Sequence, residues 1–480
     1  MKTHTELKRH LNHWQCGALA LGCMIGWGCF ILPGDFLATA GPIGATIGIA
    51  VGGLLMAIVS YSHGVMVTRF PFAGGEFVYA YFAGGPHHAY ACGWFLALGY
   101  LCIIPLNATA LGLLGKFVLP DVFARGYVYS VAGFDVYLGE IGLASAAIVA
   151  FGWLNHRGIK LVGRSQLLLL VIMVAAIVLI AFGSVFDPHG SLTNLTPAFA
   201  IDSSAIGGIL AIVAIAPWML SGFDTLPQAA EELTFSTTKA YRLMLFSIVI
   251  GVILYIAVVL ATAYLMPWTE TVDASPAWAT GFVVDYSLGR MGLAILSLGV
   301  MMGVFTGING FFMAVSRLMF SMSRANILPE WFGQLSPSHG TPSNAILFAV
   351  TVSLLAPWFG RQALLWVVDM SAVGIAVGFL YTCIAACVLL ANRSPEDHAQ
   401  GNRALAILGA IVSTGFLLLL CIPGTPAFMA TPSWIALGCW VLLGATCYLP
   451  RVSSIKKMNS RELDSLVLGD QYVDDSRRPF

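Results

Sequence analysis

Charge is the scarcest property of this 480-residue chain. Asp, Glu, Lys and Arg together make up 10% of it, where a soluble domain carries roughly 25%. That deficit excludes a fold whose whole surface faces water. The 23 basic and 23 acidic residues cancel to a formal charge of zero, so there is no basic excess to recruit a nucleic acid. Metal-binding patterns are missing as well: the ten cysteines show no Cys-x-x-Cys or Cys/His spacing. They fall in or beside apolar runs, where a thiol acts as a small hydrophobe rather than as part of a disulfide framework. The first apolar run follows a polar start (MKTHTELKRHLNHWQ) and has no small-residue cleavage site, so it is expected to be a helix of the mature protein rather than a signal peptide. No nucleophile–base pair stands out in the apolar runs, and an enzyme is not expected.

Apolar residues fill the chain instead, at 58% with a mean hydropathy of +0.85. A membrane-crossing helix needs about 20 such residues. Punctuation by polar residues, Gly and Pro yields twelve candidate spans, near 14–33, 42–62, 89–114, 139–154, 163–184, 205–230, 243–266, 291–320, 343–359, 363–391, 404–422 and 432–450. The expected class is an all-α integral membrane protein embedded in a lipid bilayer. If the N-terminus is cytoplasmic, 19 of the 23 Lys and Arg fall inside, leaving Lys116, Arg125, Arg290 and Arg361 outside. The positive-inside rule therefore predicts both termini in the cytoplasm. The tail from Arg451 is charged and is expected to be flexible.

Two spans carry their own interruption. LGCMIGWGCFILPGD (21–35) places Gly26 and Gly28 around Trp27 in span 1, and APWMLSGFDTLPQAAEEL (216–233) places Pro217, Ser221-Gly222 and Pro227 in span 6. Breaking a helix frees N–H and C=O groups, which hydrocarbon tolerates only where they line a cavity or bind something. The N-terminal end of a half-helix suits an anion and the C-terminal end a cation. Interrupted segments at matching positions of two halves point to a transporter's binding site. Such a pair suits a zwitterion without any charged side chain.

Four stretches carry a family resemblance: IGWGCFILPG; FPFAGGEFVYAYFAGGP (70–86); GFDTLPQAAEE (222–232); and SRLMFSMSRANILPEWFGQLSPSHGTPSNAI (316–346). In this order they resemble the amino acid–polyamine–organocation transporters over nearly the whole chain. The resemblance implies a LeuT-type fold with 5+5 inverted repeats and twelve transmembrane helices. The division is a cytoplasmic N-terminus (1–13), a ten-helix core (14–391, with repeats of about 14–184 and 205–391), two additional helices (404–450) and a cytoplasmic tail (451–480). It also implies a substrate carboxylate on the backbone of Trp27 and Gly28, with Ile25 and Gly26 alongside, and a substrate amine on the carbonyls of Trp218, Met219 and Ser221. The chain departs from the family at Trp27, where relatives usually carry a small residue, often Ser or Thr. It departs again in span 5, where Met173 occupies the place of a proton-carrying Lys found in some relatives.

Two carboxylates fall within predicted spans, Asp224 and Asp369. Asp224 has three readings: attraction of a cationic substrate, a proton relay, or a helix N-cap. Asp369 either pairs near the outer surface or has a functional role. Thr306 on span 8 is a candidate oxygen ligand for a coupling sodium, or bonds its own helix. Tyr100 and Asn107 on span 3 are candidates for the pocket wall. Glu231 and Glu232, with Lys239 and Arg242, either form an inner gate or a solvated helix end. The expected function is a permease of the cell (inner) membrane, moving an amino acid by alternating access as a proton or cation symporter or as an exchanger, with no cofactor and as a monomer or homodimer. An amine or polyamine substrate is the alternative, since an aromatic face and an acid suit a cation. A non-transporting receptor for the same ligands is the alternative of another class.

Overall fold

The computed structural model describes residues 7, 9–131, 134–201, 204–274, 276, 278–391, 401–425 and 427–469. Among the charges that set the expected orientation, Lys2, Lys8, Arg393, Arg477 and Arg478 lie outside these residues.

Helices dominate. In chain order they begin with α1 (His13–Met24), α2 (Gly28–Ile31), α3 (Pro33–Arg69), α4 (Glu76–Val118) and α5 (Pro120–Phe123). A two-stranded hairpin follows, β1 (Tyr127–Val131) antiparallel to β2 (Phe134–Tyr137), which hydropathy gave no reason to expect. Then come α6 (Leu138–His156), α7 (Ile159–Phe186), α8 (Ala205–Ala214), α9 (Ala216–Met219), α10 (Thr225–Gln228), α11 (Thr237–Leu265), α12 (Trp268–Asp273) and α13 (Ala279–Arg324). The remainder are α14 (Ser343–Ser353), α15 (Gly360–Ala391), α16 (Arg403–Cys421), α17 (Thr431–Lys457) and α18 (Ser460–Leu468).

Among the described residues, nine helices are long and apolar enough to cross a membrane. The other three expected spans are short because each is interrupted: at residues 25–27, at 215–224, and after Ser353. Conversely, the three longest helices each hide a corner. Gly41 (φ 71°), Gly85 (φ 74°) and Gly289 (φ 67°) sit in the left-handed region inside α3, α4 and α13, and Pro follows the first two. Glycine permits the turn, and proline's fixed φ starts the next helix.

Burial orders the helices. The apolar stretch of α4 is 94% buried, which puts it at the centre, whereas that of α7 is 28% buried and that of α17 is 17% buried. The large side chains these outer helices expose, such as Leu168, Val171, Val178 and Phe182, are apolar. Water would be a poor solvent for such a surface and acyl chains a good one. This is a multi-pass membrane protein.

The tail does not begin as a flexible segment. α17 runs on to Lys457, and α18 then docks on the end of the bundle. Leu463, Val467 and Leu468 are buried, and Asp464 accepts a hydrogen bond from Tyr81 of α4 at 2.8 Å. Apolar residues at i, i+4 and i+5 form one helical stripe, which a count of charges alone does not reveal.

Candidate substrate-binding site

The site forms where α1 stops. Ile25 caps α1, its N–H donating to the Leu21 carbonyl at 3.0 Å, and the chain resumes a helix at Gly28. The N–H groups of Gly26, Trp27, Gly28 and Cys29 find no acceptor among the described residues. Gly28 is required by packing: a Cβ there would lie 2.9 Å from Trp218 Cη2.

Facing this break is a second one. α8 ends at Ala214, the short α9 ends at Met219, and α10 begins at Thr225. Between them Gly222 adopts φ 138°, with an added Cβ 2.6 Å from the Met24 N–H nitrogen, so only glycine lets this loop lie against the end of α1. The carbonyls of Met219, Leu220 and Ser221 receive no donor among the described residues. That of Trp218 already accepts the Ser221 hydroxyl at 2.9 Å, which leaves it less open than the resemblance implied, while Leu220 was not anticipated.

A cavity of about 20 Å³, measured as space for the centre of a water-sized sphere, lies between the two breaks. Seven expected residues line it: Gly26, Trp27, Gly28, Asn107, Trp218, Met219 and Ser221. The ring of Trp27 lies 5.8 Å from that of Trp218, at 59°. Among the described residues its buried Nε1–H finds no acceptor and Asn107 Oδ1 no donor, while Asn107 Nδ2 bonds to the Ile103 carbonyl at 2.9 Å. Cys23, Met24, Ile103 and Leu106 complete the wall with Tyr255 and Phe311. These last two were missed, because an aromatic on an apolar helix looks the same whether it packs or faces a ligand. No lining side chain carries a formal charge.

The remaining expected residues lie behind this wall. The Ile25 carbonyl points at Gly303, 3.1 Å from where a Cβ would stand. Asp224 is fully buried but off the cavity; its carboxylate accepts from the Gly222 N–H at 2.6 Å and from the Tyr100 hydroxyl at 2.9 Å. It thus takes up a freed N–H of the break itself, without capping α10. Tyr100 is likewise off the wall. Thr306 Oγ1 lies 2.8 Å from both the Gly22 and Gly303 carbonyls, tying α13 to α1. Beside it, the Gln166 side-chain amide donates to the carbonyls of Ala18 at 3.3 Å and Thr306 at 3.2 Å, and accepts from Asn309 at 2.7 Å. Met173 is buried, its sulfur 3.3 Å from the Cβ position of Gly303. Asp369 accepts from Ala430 N–H and the Ser433 hydroxyl, capping the start of α17.

After the second break come two ion pairs whose basic partners differ from those expected. Glu232 pairs with fully buried Arg317 (3.2 Å) and Glu231 with Arg324 (2.5 Å), rather than with Lys239 or Arg242. The reason is geometric: both arginines lie on α13, which passes beneath the second break, whereas Lys239 and Arg242 begin the next helix. The Glu232 carbonyl also accepts the N–H groups of His10 and Leu11 at 2.9 Å. Glu76, within the FPFAGGEFVYAYFAGGP stretch, is another fully buried carboxylate.

Two broken helices back to back around a buried, uncharged cavity, inside a many-helix membrane bundle, define a carrier of small solutes. Residues 11–446 match the amino acid permease family, and the chain belongs to that family. Relatives agree along most of their length. A branched-chain amino acid permease of Bacillus subtilis is 26% identical over 87% of both chains. A methylthioribose transporter of the same organism is 27% identical over 87% of this chain and 89% of its own. A lysine-specific permease of Lactococcus lactis is 26% identical over 74% of this chain and 70% of its own.

Proposed function

We propose that this permease moves a small amino acid with an uncharged side chain by alternating access, on twelve spans arranged as two inverted five-helix repeats (about 14–184 and 205–391). Both termini then face the cytoplasm of the cell's inner or plasma membrane. The observation that carries the reading is the pairing of opposite polarities across one cavity. The N–H groups of Gly26, Trp27 and Gly28 take the carboxylate, and the carbonyls of Met219, Leu220 and Ser221 take the ammonium. An uncharged wall matches a zwitterion and leaves a third charge unmatched, which a buried site penalises heavily. The side chain then meets Cys23, Met24, Ile103 and Phe311. The ion pairs of Glu231 and Glu232 hold one end shut, and their release opens the site to that side. Coupling is to a proton or cation, or proceeds by exchange.

An amine substrate rested on Trp27 and Asp224 together. With the Asp224 carboxylate behind the wall and bonded to Gly222 and Tyr100, only the aromatic half of that support is left. Thermal melting of the purified protein with neutral amino acids, their decarboxylated amines and methylthioribose separates the readings. A ligand at 100 times its Kd stabilises the folded state by about 2.7 kcal/mol. Stabilisation by amino acids alone is expected; stabilisation by amines alone sinks the amino acid reading. Uptake of the labelled hit into proteoliposomes then distinguishes a carrier from a receptor, since a receptor binds without uptake.

A further inference from the structure

Beneath the second break, three helices bury a polar cluster that the cavity does not use. His63 of α3 and Glu76 of α4 are both 0% exposed, and His63 Nε2 lies 3.3 Å from Glu76 Oε1. Neither atom has a hydrogen-bond partner among the described residues. The other ring nitrogen, Nδ1, is 3.1 Å from the Val59 carbonyl. A carbonyl only accepts, so Nδ1 carries the hydrogen. Nε2 then has two states. Protonated, it faces a carboxylate as an imidazolium; bare, it is an acceptor pointing at Glu76, which is favourable only if Glu76 is the protonated partner. Either way the pair is satisfied, and electrically neutral, while it holds one proton. Without that proton two lone pairs meet and a net negative charge is left buried in the membrane, which is costly.

The surroundings make this proton matter to the carrier. Glu76 Oε2 accepts from Gln228 Nε2 on α10, the element that follows the break. Asp224, Gln228 and Glu231–Glu232 succeed one another along one short segment from the cavity to the ion pairs. The ionisable groups that face the cluster are Tyr79, Cys92 and Tyr100 of α4 and Asp224 of the break. Cys383 of α15 stands beside the neighbouring Ser62, and Tyr241 of α11 packs on Gly64. The buried Tyr79 hydroxyl has no hydrogen-bond partner among the described residues, and the Cys92 thiol donates to the Glu76 carbonyl at 3.5 Å. Phe223 and Phe379 close over the imidazole, each with its ring centroid 5.3 Å away. The unloaded pair has Asp224 as a like-charged neighbour.

We propose that the His63–Glu76 pair is the binding site of the proton that drives transport: one proton is taken up on one side of the membrane, held between Nε2 and Oε1, and released to water on the other. Loaded, the pair holds α3, α4 and α10 together beneath the site. Unloaded, repulsion at the same contact pushes α3 from α4, and repulsion between Glu76 and Asp224 pushes on the segment that leads into α10 and the ion-paired end. This rests on the transport reading above and supplies the coupling ion that reading leaves open.

The test uses the full-length protein in proteoliposomes, with membrane potential clamped at zero and the amino acid found in the melting screen. Solute-for-solute exchange is measured first; its absence in the wild type defeats the transport reading itself. Next, an inward gradient of one pH unit lets one coupled proton concentrate the solute about tenfold. The wild type is expected to reach that ratio and to move protons, read by a trapped pH dye, whenever solute is added. Glu76→Gln and His63→Gln are expected to keep measurable exchange while the gradient-driven ratio falls to about one. Gradient-driven accumulation by Glu76→Gln equal to the wild type overturns the proposal. So does a wild type that exchanges solute but moves no protons during net solute uptake, a result that stands even where the variants fail to fold.

Discussion

Trp27 is the residue on which the proposed substrate selectivity is expected to turn. Its ring forms part of the cavity wall against Trp218, and its Nε1–H has no acceptor. Replacing it by Ser removes an indole from a cavity of about 20 Å³, so larger side chains gain entry. Because a single methylene in an apolar pocket is worth 10- to 200-fold, the ratio of KM values for a large and a small amino acid is expected to move by at least about tenfold. Competition uptake measures this, and an unchanged ratio means the ring does not meet the substrate. Arg317 makes the opposite kind of contribution, to stability. It is fully buried and bonds Glu232 through Nε and Nη2. Arg317→Ala strands Glu232, and breaking a buried pair in this way costs about 3–5 kcal/mol. A melting curve in detergent is expected to show the loss, and Arg317→Ala with Glu232→Gln together is expected to recover part of it.

Among the elements, the loop between α9 and α10 is held by one conformational necessity. Gly222 combines φ 138° with a Cβ position 2.6 Å from backbone of α1. An alanine is strained in that region of φ and must also push α1 away, at about 1–3 kcal/mol for the backbone alone. Gly222→Ala is therefore expected to separate the two breaks and weaken substrate binding more than tenfold, while helix content by circular dichroism is retained. Unchanged affinity in a folded variant would mean that the breaks do not hold the ligand jointly. α18 is a different case, an amphipathic helix kept in place by Leu463, Val467 and the Asp464–Tyr81 bond. Leu463→Asp with Val467→Asp buries two charges, so α18 is expected to detach. Limited trypsin digestion should then cut at Lys456–Lys457 and Arg461 much faster than in the wild type; equal rates would mean α18 is not docked.

Across the whole molecule, hydropathy read the lipid-facing helices well because their composition is their function: Leu168, Val178 and Phe182 face outward and need nothing else. The two breaks were legible because Gly-Trp-Gly and Ser-Gly between prolines are unfavourable inside a helix, so their presence needed a reason. Contacts between distant helices were not legible. Nothing local pairs Glu232 with Arg317, 85 positions away, or sets Glu76 against His63, and Tyr255 and Phe311 reach the cavity only through packing. That packing closes the site: Cys23, on the wall, is 5% exposed and lies under both breaks. Alternating access requires that this thiol meet water once per cycle, whereas a rigid receptor with the same cavity would keep it covered. A small charged thiol reagent added to transporting membranes is accordingly expected to label Cys23, as located by peptide mass spectrometry. Saturating substrate should slow that labelling by filling the cavity. Opening the ion-paired end, with Glu231→Gln to free Arg324, should speed it. Two other buried thiols, Cys16 and Cys29, are off the wall and serve as internal controls, since general unfolding would label all three together. Cys23 labelling that follows Cys16 and Cys29 under every condition would mean that the bundle opens by unfolding rather than by a transport cycle.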